Sequence, residues 1–168
     1  MTRSERAAMA RRWQAALHES GHLVAGLHLL ADGRVQGAAL TCAGGQAFIP
    51  MPSGERLTHA EAVALRCGAE AEGLASRRPA PSPRGRRPGA RAAEVAVQMA
   101  MPPASGPVVP SVPDDATRFL RGCKDVIEVR QALGAARAFV EEHEREILRT
   151  ARSLFLVGSV TTFRRSRK

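Results

Sequence analysis

The feature that most constrains this chain is the motif HExxH at His18-Glu19-Ser20-Gly21-His22, because its chemistry requires a helix. At about 100° per residue, positions four apart lie on one helical face, so the two imidazoles can converge on one metal ion. Glu19 is offset by one residue and would face the open coordination position. A bound metal lowers the pKa of a water ligand, and a carboxylate at that offset can move the water's proton. The motif therefore predicts a zinc site suited to hydrolysis of peptide bonds.

The residues around the motif predict an apolar helix from Trp13 to Leu30. Leu17, Val24, Leu27 and Leu30 are available for burial beside the two histidines. A buried helix of this kind is where a zinc site would be placed. The competing interpretation is an ordinary amphipathic helix whose histidines are hydrogen-bonded residues of the core or its boundary.

The length and cysteine content predict a single reduced domain. A chain of 168 residues can bury about 70% of its unfolded surface, and no repeat is visible. Cys42, Cys67 and Cys123 form no CxxC pair, which favours reduced thiols in a cytoplasmic protein and argues against a cysteine zinc knuckle. The N-terminus has no apolar signal region, and no stretch approaches 18 apolar residues, so we expect no export and no membrane span.

The net charge of +9 is concentrated in two segments. Ten of the 25 basic residues lie in residues 77–91 and 164–168. The charge of the remaining 15 is balanced by that of 16 acidic residues. We expect one domain over residues 1–162 with a disordered basic loop at 77–91, followed by a basic tail at 163–168. With one Trp and no Tyr to stack bases, specific nucleic-acid recognition is not expected, although salt-sensitive contact with polyanions stays open.

The rest of the chain predicts a mainly α fold with a small β-hairpin or sheet packed beside the HExxH helix. Residues 35–50 alternate small and apolar residues around a Gly-Gly break, which favours a hairpin. Thr58 and Glu61 have the spacing of a capping box that opens a helix to about Ser76. The remaining predicted helices are 90–101, 114–121, 125–143 and 144–157, the last ending at Gly158.

His28 is one candidate for a third metal ligand, because it follows His22 by six residues, as in the metzincin zinc proteases. The longer metzincin motif has glycine at the position of Ala25, and here glycine comes one residue late, at Gly26. If the helix continues, six residues rotate His28 by about 240° away from His22. We therefore expect an ordinary helical histidine at position 28.

Carboxylates are the other candidates for the third ligand. Asp114 and Asp115 stand at the predicted start of a helix, where acids complement the helix dipole and cap free amides. A carboxylate held there can also be a preoriented metal ligand. The glutamates that would suit a glutamate-type site are Glu61, Glu70, Glu72 and Glu94, of which Glu61 is already engaged by its capping box.

These motifs together resemble the peptidase domain of FtsH-type ATP-dependent zinc metalloproteases. That family has HEAGH, often followed by Ala-Val/Leu-Val-Ala, and this chain has His18-Glu-Ser-Gly-His22-Leu-Val-Ala25. Gly45-Gln-Ala-Phe-Ile-Pro50 is similar to the end of the family's active-site strand, and Cys67-Gly-Ala-Glu-Ala-Glu-Gly-Leu74 resembles a later family helix. Residues 143–160 resemble the final helix of compact relatives that consist of the peptidase domain alone. The likeness spans roughly residues 10 to 162.

The resemblance implies a zinc-dependent metalloendopeptidase in which His18 and His22 bind Zn²⁺ and Glu19 is the catalytic base. The family's third ligand is an aspartate at a helix start, and Asp115 is its best counterpart, with Asp114 and Glu94 as alternatives. The family's Gly-Ala-x-Asn before this ligand is replaced here by Ser-Val-Pro-Asp.

Departures from the family limit the expected activity. The chain has no GxxxxGK[ST] loop and no ATPase module, so it cannot itself drive ATP-dependent unfolding. We therefore expect flexible or unfolded polypeptides as substrates, with a separate ATPase partner or a homo-oligomer left open. Two alternatives also stay open: a catalytically degenerate domain acting as an adaptor or regulator, and a basic accessory protein that binds nucleic acid through its arginine-rich loop.

Overall fold

A computed structural model describes residues 2–30, 35–41, 44–48, 56–81 and 115–161. The elements in these ranges are α1 (Arg3–Leu29), β1 (Gly37–Thr41), β2 (Gly44–Phe48), α2 (His59–Glu72) with a 3-10 turn (Gly73–Ser76), α3 (Asp115–Gly122), α4 (Val126–Glu142), α5 (Glu144–Val157) and β3 (Ser159–Thr161). The predicted mainly α class with a small sheet is confirmed. The predicted helix at 90–101 lies outside the described residues, as do Glu94, Asp114, residues 82–91 and the basic tail.

Helix α1 extends the predicted HExxH helix by ten residues toward the N-terminus. Thr2 is its N-cap: the Thr2 hydroxyl accepts from the Glu5 amide at 3.2 Å, and the Glu5 carboxylate accepts from the Thr2 amide at 2.7 Å. Such a capping box satisfies two amides that the first helical turn leaves free. The predicted burial of Leu27 is wrong, because this residue in the last turns of α1 is 48% exposed.

Helix α1 is the centre of the described fold and packs against α2, α5 and the sheet. It approaches α2 closely at Gly21, where an added Cβ would lie 2.4 Å from the carbonyl oxygen of Cys67. On another side, the Trp13 ring meets Phe155 edge-on with the ring centroids 5.7 Å apart. Because Gly21 has no side chain, the backbones of α1 and α2 can approach closely.

The sheet has strand order β2-β1-β3 with antiparallel pairing on both sides of β1. It packs on α1, as the sequence predicted for the hairpin. Gly158 ends α5 with a positive φ of 87°, a conformation that glycine adopts without strain. The Gly158 carbonyl then accepts from the Leu40 amide at 2.7 Å, so the turn after α5 leads directly into β3.

The predicted starts of α2 and α4 are confirmed by their caps. Thr58 and Glu61 form the expected capping box before α2. The Asp125 carboxylate accepts from the amides of Ile127 and Glu128 at the start of α4. Within the described part of the chain, no helix combines the length and apolar character needed to cross a membrane.

Replacement of Gly21 by alanine tests the close contact between α1 and α2. The new Cβ would meet backbone atoms of Cys67, so the helices must separate, and we expect a loss of about 1–3 kcal/mol in unfolding free energy. Urea denaturation measures this quantity. The matched control is Gly134→Ala in α4, where nothing lies within 4 Å and removal of helical glycine should stabilise by about 0.5–1 kcal/mol. Equal stability of both variants would contradict the described packing.

Candidate metal centre

The two histidines of the motif face one another across one turn of α1. Their ring centroids are 4.6 Å apart, and the Nε2 atoms of His18 and His22 are separated by 3.0 Å. Both Nε2 atoms therefore point to the same space, as the helical spacing predicts.

His22 is oriented by α2. Its Nδ1 lies 3.0 Å from the carbonyl oxygen of Ala64, and because a carbonyl only accepts, Nδ1 carries the proton. The lone pair of neutral His22 is then on Nε2, which faces the shared space. The ring lies directly against Gly68, where an added Cβ would be 2.3 Å from Nε2. Gly68 thus leaves the room that the His22 ring occupies.

His18 is oriented by the last residue of α2. Its Nδ1 lies 2.5 Å from a carboxylate oxygen of Glu72, so this nitrogen donates and Nε2 again faces the shared space. A carboxylate behind a histidine fixes the ring and makes it a more basic ligand.

Asp115 supplies the third donor from α3. Its Oδ2 lies 3.3 Å from Nε2 of His18 and 3.0 Å from Nε2 of His22. One helical turn later, Phe119 is buried in the core, and the Gly122 carbonyl accepts from the Leu57 amide at 3.1 Å. These contacts attach α3 to the start of α2 and aim its first residue at the histidines.

The three donor atoms fit a tetrahedral metal ion. Zinc bonds of about 2.0–2.1 Å place tetrahedral ligands about 3.3 Å apart, close to the distances of 3.0 to 3.3 Å that separate these atoms. Two imidazole nitrogens and a carboxylate oxygen converge, and these are donor types that zinc binds. Among the described residues, His18, His22 and Asp115 are the one group of three or more with this metal-binding geometry.

Electrostatics in the cluster also favour a cation. Burial, the largest influence, lowers the pKa of His18, but hydrogen bonds to Asp115 and Glu72 and the charge of Glu19 outweigh it and raise the pKa to about 9. Burial raises the pKa of Asp115, yet its hydrogen bonds with both histidines hold that pKa well below the ordinary range. The carboxylates thus make the cluster a site that attracts positive charge.

Glu19 lies beside the donors and is buried, with 6% of its surface exposed. Burial raises the pKa of Glu19, and the charges of His22 and His18 oppose this shift only in part. The backbone amide of Ala47 in β2 donates to the Glu19 carboxylate. A buried carboxylate beside these donors is placed to act as a general base.

The other sequence candidates lie elsewhere or outside the described residues. His28 is paired with Glu146, with 3.0 Å between Nε2 and Oε2, so it is separate from the cluster. Glu70 binds Arg66 and Arg137. Glu61 is engaged by Thr58, as predicted, and Glu94 and Asp114 are not described.

Sequence reasoning missed the residues that orient the histidines. Glu72 was considered a ligand, whereas the structure places it behind His18, on the side of Nδ1. Gly68 and Ala64 were not singled out, and only the four-residue helical spacing of Ala64, Gly68 and Glu72 could have placed them on one face of α2. Comparison of the chain with protein-family models, with curated proteins and with solved structures gives no match.

Gly68→Ala tests the space left for the His22 ring. The added Cβ would overlap the imidazole, so the ring must move, and we expect zinc affinity to fall by roughly tenfold or more. Competition with a fluorescent zinc chelator measures this affinity. Gly73→Ala is the control at the end of the same helix, because nothing lies within 4 Å of that position. Unchanged affinity in the Gly68 variant would contradict the described ring position.

Proposed function

We propose that the chain is a zinc-dependent metalloendopeptidase with an FtsH-like peptidase domain that cleaves flexible or unfolded polypeptides. The observation that carries the proposal is the convergence of Nε2 of His18, Nε2 of His22 and Oδ2 of Asp115 within 3.0 to 3.3 Å of one another. Two histidines and one carboxylate are the protein ligands of a catalytic rather than a structural type of zinc site, in which water or substrate takes the fourth position.

Each residue then has a defined role. Zinc in such a site supplies Lewis acidity, polarising a carbonyl and lowering the pKa of water. Glu19 takes a proton from the attacking water and returns it to the leaving amine. The Ala64 carbonyl and Glu72 hold the imidazoles with their Nε2 lone pairs toward the ligand position.

An extended polypeptide suits the surroundings of Glu19. Strand β2 is at the end of the described sheet, since β1 pairs with it on one side only. The Ala47 amide of β2 donates to Glu19, so this strand lies next to the proposed base. Free strand edges bind extended peptides through main-chain hydrogen bonds.

The alternatives have weaker support. A catalytically degenerate adaptor is expected to lack part of the ligand set, whereas here three donors and a buried carboxylate base come together. The nucleic-acid alternative rests on residues 77–91, of which 82–91 lie outside the described part. Within the described part, the Arg78 side chain is paired with Glu144 at 2.9 Å.

Substitution of Glu19 and His22 separates catalysis from metal binding. Glu19→Gln removes the base and leaves all three donors, so we expect one zinc per chain and at least about a hundredfold loss of casein cleavage. His22→Ala removes a donor and should lose both zinc and cleavage. Elemental analysis and a casein assay measure the two properties. Cleavage at the wild-type rate by Glu19→Gln would refute the assigned base.

Glu72 is proposed as a positioning residue, and two substitutions test it. Glu72→Ala leaves Nδ1 of His18 without an acceptor, and we expect zinc affinity to fall by roughly 10- to 100-fold. Glu72→Gln keeps an oxygen acceptor at the same place and should restore most of the affinity. Chelator competition gives both values. Equal affinities of the alanine and glutamine variants would show that the hydrogen bond has no orienting role.

A further inference from the structure

A groove of about 660 Å³ lies between the first half of α1 and the segment that follows α2. Its volume is within the usual range of roughly 300–1,000 Å³ for ligand sites. Most of the lining is apolar, with Arg6 at one end and Gln14 and Glu72 at the other. The apolar lining residues are Met9, Ala10, Trp13, Ala75, Pro79, Ala80 and Pro81.

The segment that follows α2 forms one side of this groove, and polar contacts hold it to α1 and α5. The indole N–H of Trp13 donates to the Arg78 carbonyl at 2.8 Å, and the Arg78 side chain is paired with Glu144 on α5. Pro79 and Pro81 restrict the backbone beyond Arg78. The groove is thus formed by a braced segment, which reduces the ordering cost of binding a ligand there.

The groove adjoins the candidate metal centre through Glu72. Glu72 lines the groove and also binds His18, and Gln14 lies one helical turn before His18 on the same face of α1. From Gln14 to Arg6, α1 rises about 12 Å at about 1.5 Å per residue. An extended peptide advances about 3.3 Å per residue, so the groove spans about four residues of such a chain.

Resting on the proposed peptidase function, we propose that this groove is a distal substrate subsite that binds an apolar side chain of the polypeptide. Glu72 binds His18 on the side of Nδ1, away from the proposed metal. The end of the subsite at Glu72 therefore lies about two residues of an extended peptide from the scissile bond, and its far end lies about five residues away. The floor of Trp13, Met9 and Ala10 suits Leu, Ile, Met or Phe and disfavours an aspartate, which would lose its hydration there.

Trp13 provides a direct reporter, because it is the one tryptophan of the chain. In Glu19→Gln, which the proposed mechanism makes inactive, a Gly-Ser peptide with one Leu should change Trp13 emission and saturate. The same peptide with Asp in place of Leu should bind roughly tenfold more weakly. Ala10→Phe fills the groove and should abolish the response, whereas Ala8→Phe, at an exposed position of α1 outside the groove, should keep it. Circular dichroism is used to check that both variants fold.

Cleavage mapping by the wild-type protein completes the test. When Leu is moved stepwise along the peptide, cut sites should follow it at a distance of about two to five residues. Casein cleavage without any Trp13 response or Leu dependence would overturn the subsite and leave the peptidase intact. A Trp13 response with no hydrolysis of any substrate would overturn the peptidase and, with it, the substrate role of the groove. A response that survives in Ala10→Phe would place the peptide elsewhere.

Discussion

The close contact between α1 and α2 at two glycines determines the geometry of the site. At Gly21 the backbone of α2 lies where a side chain would be, and at Gly68 the His22 ring does. This approach brings the Ala64 carbonyl to Nδ1 of His22, and one turn beyond Gly68 the same helix face brings Glu72 to Nδ1 of His18. A single helix therefore orients both imidazoles, and any increase in the separation of α1 and α2 would release them together.

Electrostatic attraction then explains why Asp115 belongs to the cluster. Its carboxylate is drawn to the two imidazoles, while the anchoring of α3 through Phe119 and Leu57 holds it at the right distance. The three donor atoms lie within 3.3 Å of one another, which is the spacing of ligands around one tetrahedral zinc ion. The packing of the helices therefore sets the geometry of the donors that would hold the proposed zinc ion.

Local signals in the sequence predicted the parts of the fold that depend on neighbouring residues. The HExxH spacing placed two rings on one face, the Thr58 box began α2, and Gly158 ended α5. Features that depend on contacts between residues far apart in the chain could not be predicted from the sequence. β3 is a short strand that forms because Gly158 redirects the chain to β1, and Glu72 acquires its role only where α2 crosses α1. Asp115 came from family resemblance, since its sequence position alone also suits a helix cap.

X-ray absorption at the zinc edge of the purified protein tests the central claim most directly. We expect one zinc per chain, surrounded by nitrogen and oxygen neighbours at about 2.0–2.1 Å with the multiple-scattering pattern of two imidazoles. Sulfur neighbours at about 2.3 Å, or a protein that takes up no stoichiometric zinc, would contradict a site built from His18, His22 and Asp115.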